Sequence, residues 1–319
     1  MKNTGDLPKP VYWLLPKVDY KGGAENLARS FKSIADKAGK TVHLISTDYI
    51  NDYGKWFFVK SKIVISSLWR SHIVALCYAK WHGVSWIITI NNSGGSTNKK
   101  VLFIYRLSIK WCDFIVLDNP LCLDFIPSDY RYKVIIESMI PKSDAEFNFN
   151  KDCLRDIDYL VVQRFCNEKN SQYHIELIKI MSKLNSTLFF TLVFSATSNK
   201  NRSDIIESFK LFKNVNVLFD LPHLDIINLM MRSKFFIQLS KNEGLGLTLL
   251  ESMQSKCQLI ATPVSYITNK YGQSINIVTF EEMTKINDLA SRLVSLQYTK
   301  NKTKIQETSF ENVLLNEIY

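Results

Sequence analysis

The thirteen residues Lys241-Asn-Glu-Gly-Leu-Gly-Leu-Thr-Leu-Leu-Glu-Ser-Met253 constrain this chain more than any other stretch. Ahead of them, Phe235-Phe-Ile-Gln-Leu-Ser240 is a short apolar run that predicts a buried strand. Beyond the loop, Leu247, Leu249, Leu250 and Met253 recur at helical spacing. The expected unit is strand, glycine loop, helix. It aims free backbone N–H groups and the positive end of a helix dipole at whatever sits above the loop. Gly244 and Gly246 lack side chains, so an anion can approach the main chain there.

A phosphate is the natural guest of such a loop. Glu243 and Glu251 add a second capacity, because carboxylates accept strong hydrogen bonds from sugar hydroxyls. A ligand with phosphate in its middle and a sugar at each end is a nucleotide-sugar. Glu243 and Glu251, with seven residues between them and Gly-Leu-Gly-Leu following the first, closely resemble the signature of retaining glycosyltransferases of the GT-B fold, family 4. The resemblance implies an α/β chain of two Rossmann-like domains facing a central cleft. It also implies that Glu243 lies by the transferred sugar, that Glu251 binds the ribose, and that Gly244, Leu245, Gly246 and Leu247 meet the donor.

Two domains fit 319 residues, and 46% hydrophobic with 22% charged residues is ordinary for a globular protein. Val11–Leu15 reads as the first strand, followed by Gly22 and Gly23 and a helix from Ala24 that Gly39 closes. The resemblance places Gly22 and Gly23 in the cleft; Glu25 reads equally as a cleft residue or as a complement to the helix dipole. Further apolar runs at 41–46, 63–66, 86–90, 114–117 and 133–136, with helical stretches near 70–80 and 101–111, predict a parallel sheet. After the run 86–90 many family members carry a His that touches the transferred sugar; here the chain reads Asn91, which can hydrogen-bond but cannot titrate near neutrality.

The strand pattern stops at 137–155, which sets the expected boundary between a 1–150 acceptor domain and a 151–319 donor domain. Asp156 and Asp158 precede a strand rather than follow one, so they read as strand-entry residues and not as a metal site. After the strand 159–162, Gln163-Arg-Phe-Cys-Asn-Glu-Lys-Asn170 resembles the family's Gly-Arg-(four residues)-Lys-Gly segment. Arg164 and Lys169 would contact the donor diphosphate, while Gln163 and Asn170 stand where the family has glycines. A helix at 172–184, strands at 188–194 and 215–219, and Leu221 where the family cradles the base complete the donor half. The last stretch, about 307–319, resembles the helix that packs back toward the first domain.

The net charge of +10 is uneven: residues 1–150 carry 20 basic against 13 acidic side chains, the remainder 20 against 17. A basic first half suits peripheral contact with an anionic membrane and a lipid-linked saccharide acceptor. No nucleic-acid motif accompanies the charge. The polar start and the absence of a long apolar segment predict a cytoplasmic chain without a span. Six cysteines without a close pair read as buried thiols, and the five histidines as packed or surface residues. No cofactor is expected and no metal is required, since cations and a helix N-terminus can hold a diphosphate. The function this implies is metal-independent sugar transfer, with retention, in bacterial surface-polysaccharide assembly. A non-catalytic saccharide- or partner-binding module, or another GT-B enzyme such as a nucleotide-sugar epimerase, is the alternative.

Overall fold

The computed structural model divides the chain into two units, Met1–Ser143 with Glu307–Tyr319, and Asp144–Gln306. It describes residues 9–19, 23–48, 56–90, 99–117, 120–136, 153–301, 303 and 310–319. Asn91, Gly22 and the stretch 137–152 lie outside the described residues.

The first unit runs β1 (Val11–Leu15), α1 (Gly23–Lys37), β2 (Val42–Ser46), β3 (Ile63–Ser67), α2 (Trp69–His82), β4 (Ser85–Ile90), α3 (Lys99–Trp111), β5 (Phe114–Leu117) and β6 (Val134–Ile136). All strands are parallel, in the order β2-β1-β3-β4-β5-β6. Helices cover both faces, which is why the strands read as unbroken apolar runs rather than alternating ones. One face packs Tyr12, Leu14, Val64, Ile88 and Ile90 against Ala75, Tyr78, Tyr105 and Ile109 of α2 and α3. The buried indoles are satisfied: Trp13 donates to Ser67 Oγ and Trp86 to Ser66 Oγ, each at 2.8 Å. Lys133, buried just ahead of β6, donates to the carbonyls of Ile109 (3.1 Å), Lys110 (3.0 Å) and Cys112 (2.6 Å) at the end of α3. The cation meets the negative end of the helix dipole and the acceptors the helix leaves open.

The second unit runs β7 (Ile157–Arg164), α4 (Ser171–Leu184), β8 (Phe190–Ser195), α5 (Asn199–Phe209), β9 (Val215–Phe219), α6 (His223–Arg232), β10 (Ser233–Gln238), α7 (Leu247–Gln254), β11 (Gln258–Ala261), α8 (Tyr266–Tyr271), β12 (Ile275–Ile277), α9 (Phe280–Thr284) and α10 (Ile286–Val294). Its sheet is also parallel, ordered β12-β11-β10-β7-β8-β9. The core joins Tyr159, Val161, Phe190, Leu192, Phe235 and Ile237 of the strands to α4 and α10. The last helix, α11 (Phe310–Ile318), packs on α1 and β6 and so belongs to the first unit. Each sheet reverses its strand order at one place, between β1 and β3 in the first and between β7 and β10 in the second. Ligands of open α/β sheets bind outside the carboxyl ends of the strands at such a switch point.

All six cysteines are free thiols; Cys112, Cys122 and Cys257 are buried, Cys153 and Cys166 half-buried, and Cys77 is exposed on α2. No helix of the described residues is long and apolar enough to cross a membrane. Lys133→Met should lower stability by about 2 kcal/mol, the scale of buried hydrogen bonds made by a charged donor. Thermal unfolding checks this, with an expected fall of about 4–8 °C.

Candidate functional site

Strand β7 delivers Arg164, half-buried, to the carboxyl edge of the second sheet at its switch point. The chain then makes a tight turn, closed by Ser171 Oγ, which accepts from the Cys166 N–H (3.0 Å) and lies within donating distance of Arg164 O (3.1 Å). Asn170 caps α4 in the left-handed conformation, φ 56 and ψ 39. Asn tolerates that region, which otherwise favours glycine, better than other residues with a Cβ. Its side-chain amide reaches across to Leu239 O at 3.3 Å.

Strand β10 ends beside β7, and the glycine loop follows it. Glu243, only 11% exposed, pairs with Lys169 (16% exposed), and the same Oε1 accepts from Gln238 Nε2 and, at 3.5 Å, from Ser240 Oγ. Thr248 Oγ1 holds Gln238 Oε1 at 3.3 Å, which turns the amide's N–H toward the carboxylate. Two further bonds join the loops: Lys241 N to Glu168 O (2.9 Å) and Lys241 Nζ to Asn167 Oδ1 (2.7 Å).

Beneath them lies His174, fully buried in the first turn of α4. The Leu239 N–H donates to its Nε2 at 3.0 Å, so the ring proton sits on Nδ1 and points to Asn170 O, also at 3.0 Å. One neutral imidazole therefore ties the end of β10 to the cap of α4. Burial pushes its pKa down to about 4, and an imidazolium could not accept the Leu239 bond.

Gly246, at φ 86, is the N-cap of α7. A Cβ there would lie 3.0 Å from Ser265 Oγ and 3.1 Å from Ser265 Cβ. The residues after Ser265 hold the loop from below, since Tyr266 N donates to Gly244 O (3.2 Å) and Ile267 N to Leu245 O (3.3 Å). Leu245 is buried, while Leu247 opens α7, where the first N–H groups have no acceptor inside the helix. Glu251, one turn on, meets His223 Nε2 at 2.9 Å. His223 opens α6 just after Leu221, so the turn following β9 and the carboxylate on α7 are linked.

Lys169, Glu243, Gly244, Leu245, Gly246 and Leu247 are thus brought to one edge, with Arg164 at the adjoining strand end. In the first unit Gly23 is exposed at the start of α1, and Glu25 is buried in its first turn. Asp156 and Asp158 stand at the opposite, amino end of β7: Asp156 pairs with Arg232, which holds its carboxyl below the usual range, and Asp158 with Lys234 at 2.7 Å. Asp158 lies inside the strand rather than ahead of it, because pairing to β10 begins at Ile157. Among the described residues no group of three or more His, Cys, Asp or Glu could hold a metal ion. Sequence reading missed Gln238, His174 and His223 as contacts of the site; only the folded contacts reveal them, of the end of β10 with its own loop for Gln238 and with α4 for His174, and of α6 with α7 for His223.

The family model described as "Glycosyl transferases group 1" matches residues 143–306, just over half of the chain. No curated protein matches in sequence. Among solved structures, Anabaena HepE in complex with UDP and glucose aligns at a TM-score of 0.69 and 11% identity, over 90% of each chain. The N-terminal domain of Candida albicans trehalose-6-phosphate phosphatase aligns at 0.64 and 11% identity, over 100% of this chain and 94% of that one. The catalytic domain of Arabidopsis thaliana starch synthase IV, bound to ADP and acarbose, aligns at 0.62 and 13% identity, over 98% and 100%. At such identities the likeness is one of fold.

Gly246→Ala should displace the loop, since the added methyl meets Ser265 in a backbone conformation that costs a non-glycine residue about 1–2 kcal/mol. Loss of ligand-induced stabilisation with the second unit still folded is the expected readout. The buried imidazole makes stability depend on pH. The folded pKa of His174 is below its ordinary 6.5, so its contribution is complete above 6.5 and is lost as pH falls toward 4. The limiting slope is about 1.4 kcal/mol per pH unit. His72, buried in the first unit and pushed to about 3, acts in the same direction. Thermal unfolding across pH 4–7 should therefore show a slope that His174→Gln reduces but does not abolish.

Proposed function

The chain belongs to the glycosyl transferases group 1 family, and on that premise we propose that it is a retaining, metal-independent glycosyltransferase with a nucleotide-sugar donor. The contact of Lys169 with Glu243 at the switch point of the second sheet carries this reading. It joins a cation suited to a diphosphate and a carboxylate suited to a sugar, above a glycine loop and a helix N-terminus.

Transfer breaks the bond between the anomeric carbon and the donor diphosphate and forms one to an acceptor hydroxyl oxygen, whose proton passes to the departing diphosphate. Positive charge grows on the sugar ring and negative charge on the leaving group. Arg164, Lys169 and the open N–H groups at the start of α7 would stabilise the leaving diphosphate, the task a metal ion performs elsewhere. Glu243 orients the sugar, Glu251 with His223 behind it holds the ribose, and Leu221 borders the base. Gly22, Gly23 and Asn91 of the first unit are assigned to the donor phosphates and the acceptor side. The acceptor is a saccharide, lipid-linked at the inner face of the membrane, as surface-polysaccharide assembly requires. The basic first half of the chain is the ground for that last step. A non-catalytic module is the weaker reading, since Asn170 adopts a left-handed conformation that otherwise favours glycine.

Glu243→Gln should cost about 3 kcal/mol of transition-state stabilisation, a hundredfold or more in kcat with fold and nucleotide binding retained. A thermal-shift panel of UDP, GDP, ADP and CMP identifies the donor class. One nucleoside diphosphate at about 100 times its dissociation constant adds roughly 2.7 kcal/mol, a shift of about 5 °C or more. Arg164→Ala should abolish it. No shift with any nucleotide, or normal turnover by the Glu243 variant, overturns the assignment.

A further inference from the structure

The exposed aromatic side chains of the described residues are unevenly placed. Phe58, Trp81, Phe103, Trp111, Phe114 and Tyr132 belong to the first unit, and only Phe189 and Phe280 to the second. Their positions along the chain follow a rule. Phe58 lies just ahead of β3, Trp81 just ahead of β4, Trp111 just ahead of β5, Phe114 at its first residue, and Tyr132 just ahead of β6. These four strands are parallel neighbours in the sheet, so their amino ends share one edge. At about 4.8 Å per strand the aromatic row extends about 15 Å along that edge. Ile73 on α2 and Phe103 on α3, 45% and 66% exposed, continue it up the two helices that cover one face.

The charge from the residues before β3 through α2 and α3 has one sign. Residues 53–112 contain nine Lys or Arg and no Asp or Glu. Lys80 Nζ lies 4.4 Å and Lys110 Nζ 5.9 Å from the centre of the exposed Trp111 ring, so cations and aromatics are interleaved across α2 and α3. Asp113, the acid beside Trp111, is exposed, with Oδ2 accepting from the Trp86 N–H at 2.8 Å. Beyond Asp113 the acids of the sequence resume with Asp118, Asp124 and Asp129. Water disfavours a row of indole and phenyl rings, and lysines next to it favour an anionic partner. Indoles settle at the headgroup level of a bilayer, where their bodies leave water and their N–H groups keep hydrogen bonds, and cations beside them meet anionic lipid.

We propose that the amino edge of the first sheet, from Phe58 through Trp81 and Trp111 to Tyr132 with the basic faces of α2 and α3, is a docking surface for an anionic lipid bilayer. It shares no residue with the site of the second unit, so it stands or falls separately from the donor assignment. It lies at the opposite edge of the sheet from Gly23, so it would hold the chain at a membrane without itself forming the acceptor site, and it adds to the reading of a lipid-linked acceptor only in that respect.

The test uses the full chain and vesicles of phosphatidylcholine with or without 30% phosphatidylglycerol. Co-sedimentation should require phosphatidylglycerol and weaken with salt. Lys80→Gln with Lys110→Gln should reduce partitioning about 30-fold, at roughly fivefold for each cation near the surface. Brominated lipid should quench tryptophan emission in the wild type and not in a Trp81→Phe, Trp111→Phe variant. Each variant should retain the wild-type thermal transition and the wild-type nucleotide shift. Equal binding to neutral vesicles, wild-type partitioning by the lysine variant, or absence of quenching overturns the proposal. Binding of duplex RNA or DNA that depends on Lys80 and Lys110 without any vesicle binding would overturn it in favour of nucleic acid.

Discussion

The candidate site depends on how two loops that leave one sheet edge in opposite directions are held together. At the switch point α4 departs to one side of β7 and α7 departs beyond β10, so nothing in the local chain keeps their first residues in register. The neutral ring of His174 does so from below, accepting from Leu239 and donating to Asn170 O. Above it the Lys169–Glu243 pair closes the gap. An exposed ion pair would add little. At 16% and 11% exposure this one gives up hydration, and it is sustained because Gln238 and Ser240 satisfy the carboxylate as well.

Backbone strain gathers at the same edge. Asn170, Ala196 and Asp220 follow β7, β8 and β9, and all three have positive φ. Leu68 does the same after β3 in the first unit, at φ 68 and ψ 143, a region that otherwise belongs to glycine. These residues are kept there by specific bonds, as where Asp220 Oδ1 accepts from Ala196 N at 3.2 Å. The chain is thus turned sharply after β3, β7, β8 and β9, where a ligand of the sheet would lie.

Much of this architecture was legible because parallel strands covered on both faces are largely apolar runs, as at 11–15, 63–66 and 159–162. What escaped were elements with little apolar pattern: α5 buries only Ile205 and Phe209 of its eleven residues, and β11 and β12 are four and three residues long. The family resemblance singled out Lys169 and Glu243, but loop geometry could not be inferred when Gln163 and Asn170 replaced glycines. The answer lay in a property of one side chain, the tolerance of Asn for the left-handed region. His174 and His223 read as ordinary histidines because a contact across 65 or 28 residues leaves no periodic trace.

Lys169 and Glu243 neutralise each other, which keeps two ionised groups tolerable in a poorly hydrated place. A diphosphate would bring charge that competes for Lys169, alongside Arg164 and the start of α7. As Lys169 turned to it, Glu243 would keep its Gln238 and Ser240 donors and regain acceptor capacity for a sugar hydroxyl. The exchange conserves the number of charged contacts and needs no rearrangement of the strands. On the proposed reading, the same pair that joins the two loops orients the sugar only once a diphosphate has arrived.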